Sequence, residues 1–94
     1  MQKLTPLEVQ KIISEVCTEI ENLLIEKNSA YGNSAIYPIN IFSKSSALEQ
    51  ICVRIDDKLN RIKQGQTNTI IEDTVLDLIG YLILLKVLER ITNK

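Results

Sequence analysis

The chain has 94 residues, eleven basic and twelve acidic side chains, a formal net charge of −1 and no histidine. That length sets a single small domain, residues 1–94, with one core and little surplus stability, so self-association is expected. The balanced charge excludes duplex nucleic acid as a main partner, and the missing histidine excludes Ser-His-Asp and Cys-His catalysis and His-bound zinc.

The opening MQKLTPLEVQ has no apolar run, so no signal peptide is expected there. Thr5-Pro6-Leu7-Glu8 has the form of a capping box with proline at the first helical position. Val9, Ile12, Ile13, Val16, Cys17, Ile20, Leu23 and Leu24 then recur at three- and four-residue spacing, predicting a one-faced amphipathic helix that ends near Lys27 or Asn28. Cys17, like Cys52 further on, falls in an apolar pattern and reads as a buried free thiol.

Periodicity stops over residues 28–43, NSAYGNSAIYPINIFS, where Gly32 and Pro38 punctuate the chain. A connection of this length is often functional, and it holds Tyr31, Tyr37 and Phe42. The blander reading lets Ile36, Ile39, Ile41 and Phe42 plug the end of the core. Ser43-Lys44-Ser45-Ser46 offers N-caps for a second helix with apolar Leu48, Ile51, Cys52, Ile55, Leu59 and Ile62, which Lys63-Gln64-Gly65 closes. Thr69-Ile70-Ile71-Glu72 reads as another capping box, opening a third helix that is apolar nearly all round from Val75 to Leu88. Such a helix predicts a place in the middle of a bundle and at a subunit interface. The uncharged stretch Leu78–Leu85 is too short for a bilayer span, so a soluble cytoplasmic protein is expected.

Carboxylates interrupt these apolar patterns. Asp73 and Asp77 are four apart on one face of the third helix, with Glu72 beside them. On the second helix Glu49 and Asp56 are seven apart, and Asp57 lies between Arg54 and Arg61. Acids on facing helices can build a metal site, and without histidine the ion would be Mg²⁺ or Mn²⁺ held by oxygens. The competing readings make Glu72 a capping residue, leave Asp57 and Asp73 in surface ion pairs, and pair Asp77 with Arg54 or Lys58. Lys27, Tyr31 and Gly32 form a junction where a tyrosine can stack on a base or pack as part of a helix end. Lys44 and the serines around it suit a phosphate at a helix N-terminus.

The segments KNSAYGNS (Lys27–Ser34), FSKSSALEQICVRIDDKLNRI (Phe42–Ile62) and EDTVLDLIGYLILL (Glu72–Leu85) resemble the nucleotide modification associated domain of phage and bacterial proteins. That family is itself similar to the MazG-like all-α nucleotide pyrophosphohydrolases. The resemblance covers about two thirds of the chain. It implies an all-α, three-helix unit with a long loop between helices 1 and 2, assembled into an oligomeric helical bundle. MazG-like proteins hold Mg²⁺ with an ExxE and an ExxD pair. Here Glu49 and Asp57 are the nearest substitutes for the first, and Glu72 or Asp73 with Asp77 stands in for the second.

The resulting expectation is a nucleotide-binding homo-oligomer, in the host cytoplasm if phage-encoded. As an enzyme it would split a (deoxy)nucleoside triphosphate into monophosphate and pyrophosphate. Asp57, Asp73 and Asp77 would hold Mg²⁺, with Glu49 or Glu72 as ligand or general base. Lys27, Lys44, Arg54 and Lys58 would meet the phosphates, and Tyr31, beside Gly32, the base. The alternatives are a non-catalytic protein that sequesters a nucleotide or nucleotide second messenger, favoured by the missing ExxE, and an interaction module docking through its third helix.

Overall fold

The computed structural model describes residues 2–65 and 68–93, with backbone alone for residues 68–73. Three α-helices make up the fold, α1 (Pro6–Tyr31), α2 (Ala47–Lys63) and α3 (Asn68–Thr92), with no strand among the described residues. Over those residues no helix is long and apolar enough to cross a membrane. The chain divides into two compact units, Met1–Gly32 and Asn33–Lys94.

The first unit is α1. Its start is the expected capping box: the Glu8 amide donates to Thr5 Oγ1 at 3.2 Å, and the Thr5 amide donates to Glu8 Oε1 at 3.1 Å. Two of the helix's otherwise orphaned donors find partners this way, and Pro6 sits where its missing N–H does no harm. The far end corrects the expected stop at Lys27 or Asn28, because α1 continues to Tyr31. Nothing in Asn28-Ser29-Ala30-Tyr31 breaks a helix. The break is Gly32, whose φ of +66° favours a residue without Cβ. Asn28 Nδ2 braces this end by donating to the Gly32 carbonyl at 3.2 Å. Along the apolar stripe Ile20 is buried and Leu23 and Leu24 are half-buried, while Val9, Ile12, Ile13 and Val16 are 42–56% exposed.

The second unit begins with a structured connection. The Asn33 carbonyl accepts from the Ile36 and Tyr37 amides at 3.0 and 2.7 Å, a turn ahead of Pro38. Asn40 holds a positive φ of 54°, a conformation asparagine tolerates better than most residues. Gln50 reaches back from α2 to Asn40 Oδ1 (3.0 Å) and the Ser45 carbonyl (3.1 Å), tying the connection to the helix it feeds. The idea that its apolar side chains plug a core does not hold for three of the four. Ile39, Ile41 and Phe42 are 83%, 67% and 97% exposed, and Ile36 alone is half-buried.

Ser46 is the N-cap of α2, accepting the Glu49 amide at 3.1 Å, and the helix closes on Gln64 and Gly65 at a φ of +66°. A four-residue connection (64–67) returns the chain as α3, which packs on α2. Such short connections join antiparallel neighbours. The covered positions of α2 are Ala47, Gln50, Ile51, Ile55, Lys58 and Ile62. On α3 they are Thr74, Asp77, Leu78, Tyr81, Leu85 and Leu88, together with Ile79, Gly80 and Leu84. The α2 set repeats every three or four residues, the spacing of helices that mesh side by side, whereas on α3 the five consecutive residues 77–81 are all covered. Val75, Leu76, Leu82, Ile83, Val87 and Ile91 remain 36–47% exposed along α3. Both cysteines are free and exposed, against the expectation of buried thiols. Cys52 follows the buried Ile51 by one position and is therefore turned about 100° away from it, while Cys17 follows Val16, which is itself 43% exposed. The capping box expected at Thr69–Glu72 lies outside the described side chains.

Candidate functional site

One charged pair is set into the apolar seam between α2 and α3. Lys58 Nζ stands 3.1 Å from Asp77 Oδ2, with the side chains 14% and 31% exposed. Each occupies a position that helical spacing assigns to packing, next to Ile55 and Ile62 on α2 and to Thr74 and Leu78 on α3. A carboxylate in such a place requires an opposite charge, and the ammonium supplies it. The pair adds little net stability over apolar residues of the same size. A slip by one turn would strand both charges, so the pair is placed to favour one register of the two helices.

The other expected site residues divide by location. Arg54 is exposed one turn before Lys58 on α2, and Asp57 is exposed immediately before it. Glu49 lies in the first turn of the same helix. Eight positions separate Glu49 from Asp57, about 12 Å of helix rise, so a straight α2 does not bring those carboxylates to one ion. Lys44 is exposed two residues before the cap, where Ser43 Oγ and Ser45 Oγ are 2.7 Å apart. Glu72 and Asp73 lie outside the described side chains. Among the described residues no group of three or more carboxylates and cysteines gathers to hold a metal ion.

Lys27, Tyr31 and Gly32 belong to the first unit. Lys27 and Tyr31 are four apart on the last turns of α1, hence on one face, and both are exposed. Tyr31 is 74% exposed, which sets aside the reading of a tyrosine packed into a helix end. Residues that the sequence reading passed over are Gln50, which links α2 to the connection, and Asn40, which receives it. The available signal was a polar side chain next to the core residue Ile51. In comparisons with known proteins, no family model, curated protein or solved structure matches the chain.

Proposed function

We propose that this protein binds a nucleotide, with Lys58 on α2 meeting a phosphate and the open side of α3 joining subunits into a homo-oligomer. The observation that carries this reading is the Lys58–Asp77 pair: a cation held half-buried at a fixed place between two helices. An ammonium has three donors, and a carboxylate on one of them orients the others toward an incoming oxygen. The resemblance to the nucleotide modification associated domain supplies the ligand class. Arg54, one turn away, adds a second positive charge on the same helix.

Of the two forms this function can take, sequestration is favoured over Mg²⁺-dependent pyrophosphohydrolysis. A metal shared by Asp57, Asp73 and Asp77 would have to compete with Lys58 for Asp77. The deciding experiment is thermal unfolding with a set of nucleoside mono-, di- and triphosphates, each with and without Mg²⁺, because a ligand of the folded state raises its melting temperature. Metal-independent stabilisation that Lys58→Met abolishes is the expected result. Stabilisation that requires Mg²⁺ and disappears in Asp77→Asn would establish the pyrophosphohydrolase form instead. No stabilisation by any nucleotide would remove the reading altogether.

A further inference from the structure

Gln50 closes the first turn of α2: its backbone amide donates to the Ser46 carbonyl at 3.0 Å, beside the Glu49 amide that donates to Ser46 Oγ at 3.1 Å. Its side chain is therefore in place only while that turn is helical. A carboxamide nitrogen has two hydrogens, and here both go back into the preceding connection. One reaches Asn40 Oδ1 at 3.0 Å, and the other the Ser45 carbonyl at 3.1 Å. Gln50 is half-buried, where an amide left without partners is costly. Asn40 receives it from a left-handed backbone setting, a φ of 54°, that asparagine accepts more readily than most residues. Between the two acceptors the chain bonds to itself, with the Ser45 amide on Ser43 Oγ at 3.1 Å. Among the described residues, the Gln50–Asn40 bond is the hydrogen-bonded link from residues 39–42 to α2.

We infer that Gln50 acts as a buckle, making the order of residues 40–45 conditional on the first turn of α2, so that the two form and open together. Fraying of the turn carries Gln50 away and breaks both bonds at once, and a loosened connection in turn deprives the helix end of a tie. Coupling of this kind is reciprocal. The apolar residues around Asn40, namely Ile39, Ile41 and Phe42, thus take their setting from the helix end, and gain or loss of the Ser46 cap acts on them from a distance. The device lies wholly within the second unit and is separate from the nucleotide reading.

Backbone-amide NMR of the full chain tests it, in wild type, Ser46→Ala, Gln50→Leu and the double variant. Leucine keeps the bulk and helical preference of glutamine and removes the donors. In wild type, the heteronuclear NOE at Asn40, Ile41 and Phe42 should approach that of α2, and Gln50→Leu should lower it to that of a mobile loop while the melting temperature holds. Ser46→Ala should speed opening of the first turn about fivefold, the worth of a cap, and lower the NOE at residues 40–42 with it. In the double variant the lost cap should add nothing further at residues 40–42. Asn40→Gly, which accepts the positive φ and removes the acceptor, reads the coupling from the other side as faster exchange of the Gln50 amide. Residues 40–42 that are mobile in wild type, or as ordered in Gln50→Leu as in wild type, overturn the inference. So does a frayed first turn in Ser46→Ala that leaves them unmoved, further loosening of them in the double variant, or an unchanged Gln50 amide in Asn40→Gly.

Discussion

Helices α1 and α3 have nearly equal lengths, 26 and 25 residues, and solve the problem of an apolar surface in different ways. Along α1 the apolar residues form one stripe with polar groups behind it, and local chemistry defines both ends: the Thr5–Glu8 box at one and Gly32 at the other. Along α3 apolar residues run round most of the circumference, so α2 can cover only part of them. A helix of the first kind carries its orientation in its own pattern. One of the second kind has no preferred side, and something else must set its rotation and register. Among the described residues Lys58–Asp77 is the charged contact in that seam, which places it to do so. Uniform apolarity gives adhesion without direction, which a single ion pair is placed to supply.

The largest effect should come from emptying the seam. Ile51 is 3% exposed, and truncating a buried isoleucine costs about 2–5 kcal/mol. Ile51→Ala should therefore lower the melting temperature by roughly 10 °C or more, since each kcal/mol is worth about 4–8 °C in a domain of this size. Ile13→Ala on the open part of α1 should shift melting of the dilute protein by no more than a few degrees. Equal losses in the two variants, measured by calorimetry, would erase the distinction between a filled and an unfilled stripe.

Breaking the charged pair should rank next. Asp77→Asn strands the Lys58 ammonium at 14% exposure, where partial solvation keeps the cost below that of a fully buried pair, about 1–3 kcal/mol. The double variant Lys58→Met/Asp77→Leu should regain most of that loss in urea unfolding, because an apolar pair of similar volume fits the same seam. If the pair sets the register, the regained stability should come with broadened amide resonances along α3. Sharp, native-like spectra from the double variant would show that apolar packing alone positions α3.

The smallest effect belongs to the ends of α1. Thr5→Ala removes the hydroxyl that accepts the Glu8 amide and should cost about 1 kcal/mol. Hydrogen exchange should localise the loss to the first turns, leaving the amides of α2 and α3 unchanged. Gly32→Ala places a Cβ at a φ of +66° with nothing within 4 Å of it, so the penalty is conformational, about 1 kcal/mol.

Reading the sequence recovered what depends on neighbours a few positions apart. The capping box at Thr5–Glu8, the Ser46 cap and the close of α2 at Gly65 all stand where residue chemistry places them, since each rests on hydrogen bonds spanning no more than four residues. Where no strong punctuation exists, short-range signals do not place a boundary. The apolar pattern of α1 predicts an end at Lys27 or Asn28, although the helix continues through serine and alanine until a glycine halts it. The candidate site was legible in part: Asp77 is conspicuous in any apolar run, and Lys58 was one of two partners its spacing allowed. Choosing Lys58 over Arg54 depends on which turn of α2 faces α3. That information lies between the helices and in neither of them.

The sequence by itself therefore determined three helices, the N-caps of the first two and the presence of a carboxylate where burial demands an answer. All of these follow from periodicity and short-range hydrogen bonding. Only the tertiary structure decided that Lys58 supplies that answer, that Ile39, Ile41 and Phe42 face solvent, and that both thiols are exposed. Apolar residues state a preference for burial, and the covered surface goes to whichever of them the packed helices bring face to face.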